Sequence, residues 1–376
     1  MPVKKSYDDY VQQFNAFGYK FTMNDMNDVV CCNDLELNKG IEAEILSKMI
    51  DEGFAASRVA NEYIRIAHNN RFHPLKDYFD NLQWLGEDIF GQLMSCFEFE
   101  NPEFARTVHW RFLHGVVGKV LSQDQNFMMV LDGKQGIGKS YYSSWLCPLD
   151  KYFVEGTLNP DSKDTRMRIA SNLLWEVGEL QYTTRKSDVE ALKNIITERR
   201  VTVRPPYASN DITKPVTCSF IGTINENGAG FLNDPTGTRR FAVIKIKAID
   251  WKKYTKINKD QLWAQIVATY KAGERGYFTK EESIEQFEIN SNYTLISSTH
   301  ELLLKFYDID PDKYPNEWVP SADILLELFS MGMTGSQKAA QMEIASIMEQ
   351  LGVEKSNLNA ITGQGRLTCY RGVKHK

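Results

Sequence analysis

The chain has 376 residues, of which 42% are hydrophobic and 25% charged, the composition of a folded protein with a full core and room for two or three domains. A formal net charge of −5 and a pI of about 5.8 exclude a surface that is basic all over, so any contact with nucleic acid must be local, through a hairpin, a pore or a small domain. Six cysteines without a C-x-x-C pair make neither a zinc pattern nor a disulfide framework.

Reduced thiols are the expectation for such a chain. Its start, MPVKKSYDDYVQQF, is basic with no apolar stretch behind it, which predicts no signal peptide. No run approaches the ~18 apolar residues of a membrane span. A cytoplasmic protein is expected.

In chain order, residues 20–33 read as a strand, a polar turn over Met23 to Asp28, and a second strand. A helix over about 40–51 places Ile41, Ile45, Leu46 and Met49 on one face. Another, over about 54–69, carries Ala56, Val59, Ala60, Tyr63, Ile64 and Ala67. Residues 76–120 predict several helices, with Tyr78, Phe79, Leu82, Trp84 and Leu85 in the core and Pro102 early in the last helix, where its missing N–H does little harm.

The character changes at 126. Phe127-Met-Met-Val-Leu131 is a continuous apolar run, the mark of a strand buried on both faces. Strands are predicted over 126–131, 172–177, 217–224 and 240–246, alternating with helical segments. That is the rhythm of an α/β domain with a largely parallel sheet. A helix covers 260–273, and from 297 the pattern is helical with a strand-like tail. The expected division is a mainly helical N-terminal region to 120, an α/β domain over 121–295 and a small C-terminal domain over 296–376.

Residues 133–140, Gly-Lys-Gln-Gly-Ile-Gly-Lys-Ser, meet G-x-x-x-x-G-K-[ST] at every fixed position, between a buried strand and a helix. Such a loop wraps phosphates in backbone N–H groups at a helix N-terminus. The predicted ligands are ATP and Mg²⁺, with Gly133, Gln135, Gly136, Ile137, Gly138, Lys139, Ser140 and Tyr141 around the nucleotide. Lys139 reaches the β- and γ-phosphates, and Ser140 ligates the metal.

A P-loop needs an acid at the end of a neighbouring strand. Asn172-Leu-Leu-Trp-Glu176-Val-Gly-Glu179 supplies two. Glu176 is the expected metal partner, and which of Glu176 and Glu179 orients the attacking water stays open. The next strand ends at Asn225, where an amide can hydrogen-bond that water. Arg239 and Arg240 follow a Gly-containing loop and open a strand; one of them can reach a γ-phosphate, its own or a neighbour's.

The chain resembles the virulence-associated E family of phage and mobile-island proteins, P-loop ATPases related to superfamily 3 helicases and replication initiators. The matching stretches are His73-Pro-Leu-Lys-Asp-Tyr78 with Leu82-Gln-Trp84, Val130 to Ser140, Leu174-Trp-Glu-Val-Gly-Glu-Leu180, Ser187 to Lys193, Arg204-Pro-Pro-Tyr207 and Asp234-Pro-Thr-Gly-Thr-Arg-Arg-Phe241. The resemblance implies an AAA+-like ATPase core working as a ring, a hexamer, on DNA or in replication initiation. Many relatives carry a primase domain ahead of this region. No paired-carboxylate primase pattern is found here, so a primase is expected only as a separate partner.

The interval 197–215 is basic, with Arg199, Arg200, Arg204 and Lys214, and holds Tyr207. Arginines can follow a phosphate backbone and a tyrosine can stack on a base. In superfamily 3 relatives a hairpin in this interval projects into the ring's channel. The C-terminal residues predict two helices, the first capped by Ser321 and the second ended by Gly352, then a small β-wing. This suggests a winged-helix fold with Lys355, Arg366, Arg371, Lys374 and Lys376 near its tip, for DNA or for protein contact. The expected function is an ATP-driven DNA helicase or replication-initiator ATPase. Its rival is an ATP-switched assembly or regulatory protein that separates no strands.

Overall fold

In the computed structural model the described residues are 5–159, 162–178, 180, 186–203, 211–225, 232, 235–293, 298–359 and 366–376. The chain divides into two units, Met1–Gly228 with Gly237–Asn290, and Ala229–Thr236 with Ser291–Lys376. The first unit is a mixed α/β structure with a largely parallel central sheet.

The first unit begins with α1 (Tyr7–Ala16), started by a capping box in which Ser6 and Asp9 satisfy each other's backbone N–H groups. Strands β1 (Phe21–Asn24) and β2 (Val29–Cys32) pair antiparallel as the turn residues predict. The short β3 (Leu35–Glu36) extends that sheet. Helices α2 (Lys39–Asp51) and α3 (Ala56–Asn69) follow, and β4 (Arg71–Phe72) joins β1 in parallel. Tyr10, Phe14, Phe21, Ile45, Met49 and Tyr63 share one core. The buried stripe is narrower than predicted, since Leu46 and Ile64 are exposed. On α2 the i,i+4 pair Ile45 and Met49 faces inward, and Leu46 lies one residue, about 100°, round the helix.

Proline opens α4 (Pro74–Asn81), and the His73 side chain accepts the Lys76 N–H at its start. Trp84 and Leu85, expected in the core, are exposed. They lie between α4 and α5 (Ile89–Met94) in a segment with no helix, where Trp84 Nε1 donates to the Glu87 carbonyl. Strand β5 (Phe97–Phe99) interrupts the predicted helical run; at three residues it is too short to show a period. Next comes α6 (Pro102–Ser122), buried on every side through its second half. Phe104, Val108, Phe112, Leu113, Val116 and Val117 make it the centre of the main core.

The six-stranded sheet has the order β5-β12-β6-β11-β8-β7. It comprises β6 (Met128–Gly133), β7 (Phe153–Glu155), β8 (Leu174–Val177), β11 (Ser219–Asn225) and β12 (Phe241–Ile249), all parallel, with β5 antiparallel on β12. Between these strands run α7 (Lys139–Leu146), α8 (Lys163–Ser171), α9 (Lys186–Thr197) and a hairpin of β9 (Arg200–Val203) with β10 (Ile212–Pro215). After β12 come α10 (Trp251–Tyr254), α11 (Lys259–Lys271) and α12 (Lys280–Ser291). Every residue of β6 is buried, which is why it reads as an unbroken apolar run. Arg240, expected to open a strand, is the last residue of a 3₁₀ turn over Pro235–Arg240.

The second unit holds α13 (Ser298–Phe306), β13 (Tyr307–Ile309), β14 (Trp318–Pro320), α14 (Ser321–Ser330), α15 (Gln337–Gln350), β15 (Lys355–Asn359), β16 (Arg366–Arg371) and β17 (Val373–His375). Leu303, Ile324, Leu328, Ile344, Met348 and Tyr370 form its core. Pro320, extended at φ −63° and ψ 135°, is the N-cap of α14, so Ser321 is not the cap but the first helical residue, and is buried. Strand β16 lies between β14 and β15. Among the described residues no helix is long and apolar enough to cross a membrane. All six cysteines are free and buried.

Candidate functional site

The phosphate-loop motif lies between β6 and α7. Gly136 and Gly138 take φ of 78° and 103° there, conformations open to glycine and strained for other residues. Lys139 is buried at the first position of α7. Its ammonium donates to the carbonyls of Gly133 at 2.6 Å and Lys134 at 2.9 Å, and approaches Asn225 Oδ1 at 3.4 Å. Ser140 is exposed, with its hydroxyl donating to Glu176 Oε1 at 2.6 Å. Gln135, Gly136 and Tyr141 are exposed, while Ile137 packs against the main core.

Strand register brings these residues together. Asn225 pairs with Gly133 across β11 and β6, and Glu176 pairs with Ile221 across β8 and β11. The chain builds β7, β8 and β11 on one side of β6, then crosses to β12 on the other. That makes the C-terminal end of β6 a topological switch point, the place where open parallel sheets bind ligands.

Glu176 is 1% exposed. Burial pushes its carboxyl above the ordinary range; the Ser140 hydroxyl opposes this, Glu155 on β7 adds to it, and Thr223 and Lys139 pull it back. Its Oε2 is buried with no hydrogen-bond partner among the described residues. A buried, orphaned carboxylate oxygen beside a serine hydroxyl is a donor set suited to a hard divalent cation such as Mg²⁺. Glu179, the second acid, lies outside the described residues.

Arg239 and Arg240 stand at the other end of the sheet. Phe241, which follows them, pairs with Met128 at the start of β6, whereas the phosphate loop begins at Gly133. Five residues of strand separate the two levels, about 16 Å at about 3.3 Å per residue. The arginines line a cleft of about 540 Å³ with Gln125, Thr197 and Tyr277. Arg239 is exposed, and Arg240 Nε is buried with no hydrogen-bond partner among the described residues.

Of the expected nucleic-acid contacts, Arg199 and Arg200 are exposed, and Arg200 reaches the Gln123 side chain at 3.5 Å. Gln125 donates to the Thr197 carbonyl at 2.7 Å, and both residues line the arginine cleft. Lys214 is different. It is buried, its ammonium pairs with Asp28 at 2.5 Å, and it donates to the Asp25 and Met26 carbonyls. It clamps β10 to the β1–β2 turn and presents no free cation, so it is withdrawn as a nucleic-acid contact. Arg204 and Tyr207 lie outside the described residues. In the second unit Arg371 is paired with Glu354, which offsets its charge, and the Lys376 ammonium donates to the Leu304 carbonyl.

A family model described as the virulence-associated protein E-like domain matches residues 79–295. The chain belongs to this family. Two solved structures of the C-terminal region of NrS-1 are similar in fold to this virulence-associated protein E-like chain. One has 13% identity and a TM-score of 0.53 over 96% of this chain and 98% of the other. The second has 13% identity and a TM-score of 0.51 over 98% and 100%. No curated protein matches the sequence.

The motifs point to the end of the sheet where β6 leads into the glycine-rich loop. They do not point to Trp251, which lies against Gly138 and has no sequence signal beyond following a predicted strand.

Proposed function

We propose that this virulence-associated protein E-like chain is an ATPase of DNA replication in a phage or mobile element, acting as a ring, a hexamer by resemblance, that works as a helicase or replication initiator. One observation carries this reading: Lys139, Ser140, Glu176 and Asn225, from three adjacent parallel strand ends, meet at the switch point of the sheet. Backbone N–H groups of the loop and the start of α7 bind the phosphates of ATP, and the Lys139 ammonium follows the β- and γ-phosphates. Ser140 and Glu176 would hold Mg²⁺, which supplies neutralisation of phosphate charge when bound.

Asn225 orients the attacking water by hydrogen bonding. Glu176 and Glu179 are both candidates for directing that water to the γ-phosphate. The arginine at the far end of the sheet serves a neighbouring subunit's nucleotide. The second unit, with three helices sharing a core with a three-stranded sheet, is read as a winged-helix-like accessory. Arg199 and Arg200 are the DNA contacts favoured by their exposure.

The test is Mg²⁺-dependent ATP hydrolysis by the wild type and by Lys139→Ala. Turnover is expected only in the wild type, and equal turnover in both overturns the assignment. Stimulation by single-stranded DNA together with strand displacement separates the helicase reading from an ATP-switched assembly protein, which would show neither.

A further inference from the structure

The two flanks of β6 differ in chemistry. On one, β11 and β8 carry Asn225 and Glu176 to the phosphate loop. On the other, β12 runs parallel to β6 and leads through Asp250 into α10, whose first residue is Trp251. The Trp251 ring lies against Gly138: a Cβ built on that glycine would stand 2.2 Å from the ring. Trp251 meets Tyr141 edge-on at 5.4 Å between centroids, and Tyr254 at 5.2 Å. Tyr254 is buried beneath them, whereas Trp251 is 37% and Tyr141 56% exposed. The Asp250 carboxylate accepts the N–H groups of Lys252 and Lys253, which fixes the backbone that presents the ring.

The geometry points to Trp251, with Tyr141, as the platform on which the base of a bound nucleoside triphosphate stacks. This rests on the phosphate-loop reading above and adds the other end of the ligand. With the γ-phosphate end held on the β11 flank, the phosphate chain crosses the loop toward β12. The base then arrives where two aromatic side chains are exposed. Gly138 is glycine for two reasons, its φ of 103° and the ring that fills the place of its Cβ. Every base has a π-face, so a platform of this kind separates a triphosphate with a base from one without more sharply than one base from another.

The experiment measures binding of Mg·ATP and of inorganic tripolyphosphate with Mg²⁺ to the wild type, Trp251→Ala and Trp251→Phe. Alanine is expected to weaken ATP by about five- to 150-fold, the range for an aromatic–base stack removed by alanine, and to leave tripolyphosphate unchanged. Phenylalanine is expected to keep most of the ATP affinity. The difference in tryptophan fluorescence between wild type and Trp251→Phe is expected to change on adding ATP and not on adding tripolyphosphate. Unchanged ATP binding in Trp251→Ala overturns the platform and leaves the phosphate loop standing. Equal weakening of both ligands also overturns it, since the ring would then only brace the loop. A wild type that binds neither ligand overturns the phosphate-loop reading and the platform together. If the alanine variant does not fold, a difference fluorescence that ignores ATP overturns the platform by itself.

Discussion

Glu176 carries its charge where burial opposes it, and the sign of the consequence can be worked out. Its folded-state value is raised above the ordinary carboxylate range. Folded protein therefore loses stability as pH rises from that range through the raised value. Glu176→Gln keeps the shape and drops the charge, so in Mg²⁺-free buffer it should melt higher than wild type at neutral pH, with no gain under acid conditions. A gain of about 1 kcal/mol would move the midpoint by about 2–4 °C in a domain of about 150–250 residues. The same variant should lose Mg²⁺-dependent hydrolysis. A melting temperature that falls at neutral pH would mean the carboxylate is structural.

Lys119 shows the opposite charge under the same pressure. It is buried in α6, donates to the Cys218 carbonyl at 2.7 Å, and burial pushes it down from an ordinary 10.5 to about 8. A lowered lysine is a penalty fully present below the folded value and relieved as pH rises toward the unfolded one. Wild-type stability should therefore gain between pH 8 and 10.5 a component that Lys119→Met lacks. Urea unfolding of both proteins across that range checks it, and parallel pH profiles would refute it.

Among the elements, those with an unbroken or regular apolar pattern were legible in the sequence. Strand β6, buried throughout, and the hairpin of β1 and β2 are examples, because one local signal sets each of them. Strand β5 was not legible: Phe97, Glu98 and Phe99 gain their pairing only from β12, about 150 residues later in the chain. The phosphate loop could be read because its chemistry is contiguous. The distance of Arg239 and Arg240 from it could not, because that depends on which end of β12 lies beside which end of β6. Lys214 read as a surface cation for the same reason, its partner Asp28 being remote in sequence. Packing between elements gives a further prediction. A Cβ on Gly276 would stand 2.3 Å from the backbone of Gly115 in α6. Both contacts are backbone, so nothing flexible can give way. Gly276→Ala should destabilise the first unit by about 1–3 kcal/mol, read as a lower denaturant midpoint. It should also disturb the arginine cleft, whose wall includes Gly276.

For the whole molecule, the separation of phosphate loop and arginines along the sheet favours arginines that serve a neighbour's proposed nucleotide over their own chain's. In the proposed assembly each chain offers its loop to one neighbour and its arginines to the other. Lys139→Ala protein mixed with an Arg239→Ala or Arg240→Ala variant should regain hydrolysis that neither shows alone. An arginine supplied by a neighbour is worth about 10³–10⁵ in rate in well-studied nucleotide hydrolases. Mixtures shown to co-assemble that remain inactive with both arginine variants would mean the arginines serve only structure.

The two unlike ends of the sheet also determine how such an assembly counts. A two-fold interface joins the same surface patch of both chains and closes at two. Head-to-tail joining makes one complete site per junction. An open row of chains has one junction fewer than it has chains, and a closed ring has as many. Turnover per chain should therefore climb with length in an open row and step to its full value at closure, which makes hydrolysis itself a gauge of whether the ring has shut.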